Sequence, residues 1–351
     1  MTDVATLAGQ VSEACAHKRP LCLQGGGSKA ALLGRDCEGD ALSTRELTGV
    51  VNYEPGELVI SVRAGTTVRE LEEVLAAENQ YLPSATPHFD GTATLGGSLA
   101  CNLSGHTRPW GGSLRDLVLG TELINGKGET LRFGGRVMKN VAGYDVSRLQ
   151  AGALGTLGLI TEVTLKVLPL PETEVTLVHE CEAPRALEIM LQRGAEPSPL
   201  AGACWFDGRL FLRLAGAEPA VKRAAVDWGG ETTADEAPWR ALSDMSLAFF
   251  QCDEALIRLS LPVTSSLALS ESRLLIDWGG AQRWVYAADT MPEWFENAAR
   301  ENGHAWSFRG GDRKAETAPP LSPQLQRMHR QIKQAMDPAG ILNPGRLYSW
   351  L

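Results

Sequence analysis

Apolar positions follow two different periods along the chain, and each period predicts a type of element. Near the N-terminus, apolar residues at positions 4, 7, 8, 11, 14 and 15 have helical spacing, and PLCLQ directly after them predicts a short strand. GVVNY and LVISVRA predict a pair of strands. A helix is predicted from Thr67, where Thr67 and Glu70 form a capping box. The first part of the chain should therefore mix helices and strands.

The same alternation continues to residue 171. LVLGTELI and ETLRF flank the turn NGKG, which predicts a β-hairpin, and TEVTLKVL from Thr161 alternates like a half-buried strand. After Pro171 the composition changes, because seven of the nine tryptophans lie between Trp205 and Trp306. We therefore predict a domain boundary there, between residues 1–171 and 172–320.

The second region predicts a sheet backed by helices. Asp207-Gly208 joins two apolar runs as a hairpin, further strands are predicted at 255–261, 273–277 and 283–287, and a helix runs from Pro292 to Asn302. The string DWGG, at Asp227 and again at 277–280, suggests two related halves or a chance match. A last unit, 321–351, combines a helix with the tail DPAGILNPGRLY, which we expect to return to the first domain.

Composition and charge exclude several classes of partner and site. The formal net charge of -9 and a pI near 5.3 disfavour nucleic acid and anionic membranes as partners. The N-terminus lacks a signal peptide pattern, and no apolar run is long enough for a membrane span. We expect a cytoplasmic protein, with any membrane association supplied by partner subunits. The seven cysteines are scattered, which disfavours metal clusters and disulfides, so we expect reduced thiols.

Two glycine-rich blocks predict a ligand site. The first, Gly25 to Lys29, follows a strand, so its backbone amides can converge on a phosphate. It also satisfies G-x-G-x-x-A, but glycines at 34 and 39 and an aspartate at 36 interrupt the helix that a Rossmann fold requires. A tight structural turn is the plain alternative. The second block, GTATLGGSLACNLSGH from Gly91, keeps amides and small polar groups free for a long ligand, although a glycine-rich interdomain loop is also compatible.

A third block consists of KNVAGYD and GALGTLGLITEV. Together the three blocks resemble the FAD-binding domain of the vanillyl-alcohol oxidase, or PCMH-type, flavoproteins, in the branch of D-lactate dehydrogenases and the FAD-binding subunits of glycolate oxidases. The resemblance implies an α+β fold with a two-part PCMH-type FAD-binding domain and a small α+β cap. It also implies that the following residues bind the cofactor: Gly25, Gly26, Gly27, Ser28, Lys29, Thr94, Gly96, Gly97, Asn102, Ser104, Gly105 and Ile160.

The resemblance further implies FAD-dependent oxidation of a small 2-hydroxy acid, as in the conversion of glycolate to glyoxylate. Its partners would be a related catalytic flavoprotein subunit and an iron–sulfur subunit. Some relatives attach FAD through a histidine in the pyrophosphate loop. Ser28 and Lys29 occupy that stretch here, so we expect non-covalent FAD. Catalytic members of the branch carry metal-binding histidine motifs that this sequence lacks, and we expect no metal site.

Oxidation of a 2-hydroxy acid requires a base for the hydroxyl proton and a cation for the carboxylate. His106 and His88 are candidate bases, with hydrogen-bonded loop histidines as the plain alternative. Arg258 on the strand ALIRLSL is the candidate carboxylate ligand, although it also fits a solvent-facing strand position. Tyr144 is a candidate for lining the flavin ring or for ordinary packing. An assembly subunit with a degenerate site and a self-sufficient small oxidase remain alternatives to a complex subunit.

Overall fold

The computed structural model describes residues 3–135, 145–233, 238–287 and 291–351. Up to residue 169 its elements are α1 (Val4–Ala16), β1 (Leu21–Gln24), β2 (Asp40–Ser43), β3 (Val50–Glu54), β4 (Val59–Arg63), α2 (Val68–Ala76), β5 (Gln80–Tyr81), α3 (Leu95–Cys101), α4 (Arg108–Gly111), α5 (Leu114–Leu117), β6 (Val118–Ile124), β7 (Thr130–Gly134), β8 (Leu159–Lys166) and β9 (Leu168–Pro169).

The elements that follow are β10 (Thr173–Glu180), α6 (Ala183–Gly194), β11 (Leu200–Phe206), β12 (Arg209–Gly216), α7 (Glu218–Trp228), β13 (Glu231–Thr233), α8 (Trp239–Ser243), β14 (Leu256–Ser260), β15 (Leu274–Asp277), β16 (Gln282–Tyr286), α9 (Met291–Arg300), β17 (His304–Arg309) and α10 (Pro323–Met336).

A five-stranded antiparallel sheet, in the order β3-β4-β8-β6-β7, organises the first region. The predicted apolar stripe of α2 is buried in one cluster with the sheet, where Leu71 and Leu75 join Ile60 and Val163. The capping box at Thr67 is present, and β6 and β7 form the predicted hairpin. The two-stranded parallel pair β1-β2 lies outside this sheet and leads into the first glycine block.

The second region forms an eight-stranded antiparallel sheet in the order β13-β10-β12-β11-β15-β16-β14-β17. Numbered within each half, the order is 4-1-3-2 followed by 2-3-1-4, so two similar halves meet at β11 and β15. The DWGG strings do not mark equivalent places, because Asp227 lies in α7 and Asp277 ends β15. The two halves therefore share a strand order, but the repeated string does not mark it.

The two faces of this sheet pack against different partners. One face carries α6, α7 and α9, and residues such as Met190 and Val221 form a cluster with Leu212 and Ile257. The opposite face packs on the first region, with the following residues in one cluster: Phe211, Trp284 and Phe308 from the sheet, Leu33, Leu103 and Leu154 from the first region, and Leu347 and Tyr348 from the tail. The sheet therefore covers the first region as a cap, and ligand space between them has walls from both.

One sequence expectation about the cysteines is wrong. Cys22 and Cys37 form a disulfide with a Cα–Cα distance of 6.0 Å, whereas the other five cysteines are free thiols. The turn that ends at Gly39 brings the chain back beside β1, where the amide of Asp40 donates to the carbonyl of Pro20 at 2.9 Å. This return is a tertiary feature that the spacing of 15 residues does not reveal. The closed loop contains the whole first glycine block.

Candidate functional site

Segments that are far apart in sequence surround a cavity of about 130 Å³, which we call the first cavity. Nine of the twelve predicted cofactor residues line it. Most of the other lining residues lie next to them in the sequence or in the third block, and two belong to the tail. The predicted residues are Gly25, Gly26, Gly27, Ser28, Lys29, Thr94, Gly96, Gly97 and Ile160; the others are Leu23, Gln24, Ala30, Thr44, Ala100, Cys101, Leu154, Gly155, Gly158, Leu159, Asn343 and Arg346.

Glycine is required in the first block because the backbone approaches the second block too closely for a side chain. A Cβ atom on Gly25 would lie 2.2 Å from Thr94 Oγ1, and one on Gly26 would lie 1.7 Å from the carbonyl oxygen of Thr92. Gly27 has a φ of +77° and open space beside it. No helix begins in residues 25–39, which excludes the Rossmann alternative. The loop is shaped as a backbone cradle for a phosphate group.

Lys29 places a buried cation at this cradle. It is 7% exposed, its Nζ donates to Ser28 Oγ at 3.1 Å, and it lies 5.4 Å from the centroid of the Phe89 ring. Burial lowers the pKa of Lys29, and no carboxylate of the described residues pairs with it. A buried ammonium group without a counter-ion is costly, so its place beside a glycine cradle fits an anionic ligand.

The tail supplies two lining residues whose role the sequence motifs did not indicate. Asn343 Oδ1 accepts from the amide of Leu23 at 2.6 Å, and its Nδ2 donates to the carbonyl of Leu154 at 2.6 Å. Arg346 donates to the carbonyl of Ala30 at 3.0 Å. These bonds hold the first and third blocks together. The tail string was part of the resemblance, but only the fold shows which of its side chains reach the cavity.

A larger second cavity, of about 510 Å³, lies between the first region and the cap. Cys101 and Leu154 line both cavities, so the two adjoin. The predicted residues Asn102 and Arg258 lie here, whereas Arg108 and His304 are lining residues that the motifs did not indicate. The full lining is Leu33, Cys101, Asn102, Arg108, Gly152, Leu154, Arg258, Ser260, Leu261, Pro262, Trp278, Ala281, Asn302, Gly303, His304 and Trp306.

Asn102, Ser104 and Gly105 do not line the first cavity. Asn102 ends α3 with a φ of +46°, which turns the chain away from it. Ser104 is buried, and the carbonyl of Gly105 accepts from Trp278 Nε1 of the cap at 3.0 Å. The second block therefore lines the first cavity only with its earlier part, Asn102 lines the second cavity, and Gly105 packs against the cap, so a cofactor role for Ser104 and Gly105 stays a prediction.

His106 and Arg258, the predicted base and carboxylate ligand, line different cavities. His106 is 5% exposed, bonds Ser243 through Nδ1 at 3.0 Å, and packs 4.8 Å from the Trp239 ring, beside a third cavity. Burial lowers the pKa of His106 well below its usual range, and nearby arginines add to this effect. His88 pairs with Glu72 at 2.8 Å. Tyr144 and most of KNVAGYD lie outside the described residues.

Similarity to known proteins shows the family of this chain. A family model described as an FAD binding domain matches residues 1–134, and one for the C-terminal domain of FAD linked oxidases matches residues 289–347. Glycolate oxidase subunit GlcE of Escherichia coli (strain K12) is 44% identical over 342 residues, which cover 97% of this chain and 96% of that protein. The chain belongs to the GlcE family. It is therefore an FAD-dependent oxidoreductase of the PCMH-type fold.

Other proteins are similar to this GlcE family member at lower sequence identity. Glycolate oxidase subunit GlcD of Bacillus subtilis (strain 168) is 31% identical over 46% of the chain and 34% of its own length. A solved alkyldihydroxyacetonephosphate synthase superimposes with a TM-score of 0.69 at 16% identity, over 97% of this chain and 75% of that one, which shows a shared fold. Within the described ranges, no helix is long and apolar enough to cross a membrane.

Proposed function

We propose that this chain is the FAD-binding subunit of a glycolate oxidase complex and takes part in the oxidation of glycolate to glyoxylate. The observation that carries the proposal is the first cavity, where a glycine cradle and an unpaired buried lysine adjoin a larger cavity under the cap. The similarity to GlcE over almost the whole chain supplies the substrate class.

The first cavity would hold the diphosphate of FAD. Amides of Gly25 to Gly27 and the Lys29 ammonium group would bind the phosphate oxygens, and Arg346 adds a second cation to the lining. The two cavities adjoin at Cys101 and Leu154, so the rest of the cofactor would continue from the first cavity into the second. When bound, FAD supplies a two-electron acceptor for the alcohol carbon of the substrate.

Oxidation of the substrate releases two electrons, which the bound FAD would accept and which would then pass to other subunits. We propose a related GlcD-like flavoprotein and an iron–sulfur protein as these partners, because the described residues of this chain contain no group of three or more His, Cys, Asp or Glu residues placed to hold a metal. Any attachment to a membrane would also come through such partners.

Absorbance of the purified protein tests the cofactor proposal. We expect the two flavin bands, and we expect acid precipitation to release the flavin into the supernatant, because non-covalent FAD leaves an unfolded chain. Gly26→Ala should abolish the bands, since its Cβ atom would collide with the Thr92 carbonyl. Gly9→Ala, which has nothing within 4 Å of the added atom, is the matched control. A colourless wild-type protein after incubation with FAD would contradict the proposal.

A second candidate is an assembly subunit without its own catalytic site. The observation that favours it is the position of His106, because the predicted base packs against Ser243 and Trp239 and does not line the second cavity. Turnover of glycolate with a dye acceptor separates the possibilities. The isolated chain is inactive if it only assembles the complex, whereas a self-sufficient oxidase reduces the dye without partners.

A further inference from the structure

Two guanidinium groups line the second cavity, and none of its described lining residues carries a carboxylate. Arg258 enters from β14 of the cap, and Arg108 enters from α4 of the first region. Neither side chain forms a hydrogen bond or an ion pair with any residue that the structure describes. Burial lowers the pKa of Arg258, and the charge of Arg108 adds to this effect.

Arg258 lies beside two aromatic rings and lines the cavity. Its guanidinium lies 5.8 Å from the Trp306 ring centroid and 5.5 Å from that of Phe308, and its buried Nε has no acceptor among the described residues. Burial lowers the pKa of Arg258 to about 10, so it remains a cation at neutral pH. These cation–π contacts position the guanidinium without using its hydrogen-bond donors, which leaves them available to a ligand.

Arg108 is positioned in the same way. Its guanidinium carbon lies 4.6 Å from the ring centroid of Trp278, which also lines the cavity. The indole nitrogen of Trp278 donates to the Gly105 carbonyl, so the ring is fixed between the cap and the first region. Each arginine therefore rests on a tryptophan and contributes a cation to a shared space.

Neutral polar groups lie on the same wall. In the antiparallel register of β14 and β17, Arg258 is opposite Trp306 and Ser260 is opposite His304, and all four line the cavity. These positions alternate along each strand, so the four side chains share one face of the sheet. Burial, followed by the charges of Arg258 and Arg108, lowers the pKa of His304, which keeps its imidazole neutral at pH 7.

We propose that Arg108 and Arg258 bind the carboxylate of a small 2-hydroxy acid in the second cavity, with Ser260 and His304 as the neutral hydrogen-bonding groups of the same site. The choice of a 2-hydroxy acid rests on the proposed function, whereas the choice of a carboxylate rests on the paired guanidinium groups. The FAD diphosphate is a poorer candidate for these two arginines, because the first cavity has its own glycine cradle and cations.

Isothermal titration of the full-length chain with oxalate, which resembles the substrate but is not turned over, tests this site. Wild type should bind oxalate and glycolate saturably, and acetamide should not compete. Arg258→Gln should weaken oxalate binding by about tenfold or more, because it removes a charged hydrogen-bond donor. Arg108→Gln should weaken it by a smaller factor. Arg223→Gln, on the exposed surface of α7, is the control and should bind as wild type does.

The FAD content of each sample separates this inference from the proposed function. A wild type that holds FAD but shows no saturable oxalate binding would overturn the carboxylate site alone. Arg258→Gln protein that loses FAD yet still binds oxalate would assign Arg258 to the cofactor and also overturn it. If Arg258→Gln does not fold, Arg108→Gln decides, because Arg108 is exposed at the edge of the cavity and unchanged oxalate affinity would contradict the proposal.

Discussion

The first and second cavities share Cys101 and Leu154, yet they are built from different chemical groups. The first is a backbone structure, in which glycines allow loops to approach one another and few side chains carry charge. The second is formed by side chains, in which arginines from both regions contact tryptophans of the cap. The difference indicates a division of labour, since a constant cofactor suits a rigid backbone cradle whereas a particular substrate requires particular side chains.

The largest expected effect is a loss of stability when the buried ion pair that fixes the tail beside the first cavity is removed. Lys333 Nζ donates to the carbonyls of Thr156 and Leu342 and pairs with Asp337 at 2.7 Å, all of them buried. Lys333→Met leaves Asp337 charged and unpaired, so we expect the free energy of unfolding to fall by about 3–5 kcal/mol.

Urea denaturation measures this change. Lys222→Met, which removes an exposed lysine of α7, is the control and should stay within about 0.5 kcal/mol of wild type. Equal stability of the Lys333→Met protein would show that the buried pair does not hold the tail to the third block.

A smaller effect, on the affinity for FAD, distinguishes the role of Lys29 in the first cavity from that of Arg258 in the second. Lys29→Met should raise the Kd for FAD by roughly 10- to 100-fold, because it removes a charged donor worth about 1.5–3 kcal/mol from the first cavity. Fluorescence titration of the apoprotein with FAD measures the affinity. Lys127→Met, at an exposed turn, is the control. If Arg258→Gln weakened FAD binding as much as Lys29→Met does, the distinction between the cavities would fail.

The smallest effect is a pH dependence at the wall of the second cavity. Asp277 is buried below Trp278, and burial raises the pKa of Asp277 to about 7, from an ordinary value of 3.8. The folded protein therefore holds this proton more tightly than the unfolded chain does. The resulting stabilisation is complete below about pH 4 and is lost as the pH rises to 7.

Asp277→Asn should remove this loss while keeping an acceptor for the Trp278 amide. We expect the Tm of the variant to exceed that of wild type by roughly 1–4 °C at pH 8, with a smaller gain at pH 5 and almost none below pH 4. Thermal denaturation across this range measures the difference, with the exposed Asp227→Asn as control. A gain that is independent of pH would indicate a packing effect and contradict the charge argument.

The two cavities also differ in how far the sequence could predict them. Residues of the first cavity could be predicted because they form two contiguous strings, Gly25 to Lys29 and Thr94 to Gly97. The residue types within each string were enough to indicate a ligand site. Arg108, Trp278 and His304 meet only because the cap sheet packs on the first region, and no local pattern contains that contact. His106 shows that a motif does not fix the direction of each side chain. It belongs to the second glycine-rich block, but its side chain bonds Ser243 of the cap.

The disulfide and the tail show the same limit. Cys22 and Cys37 meet through a turn whose course depends on the packing of residues 34–39, so their spacing carries no signal. The string ILNPGRLY indicated an ordered terminus, but the two bonds of Asn343 depend on the docked position of the tail. Local strings thus predicted the elements, whereas the meeting of distant segments required the fold.

The docking of the tail has a consequence for biosynthesis. Asn343 follows its partner Leu23 by 320 residues, so the ribosome makes the glycine loop long before it makes the side chain that braces it. The cradle is then incomplete until those 320 further residues have been made. Cofactor loading should accordingly be a late event, in which a nascent chain with both sheets already formed still waits for residues 341–346 to close the pocket.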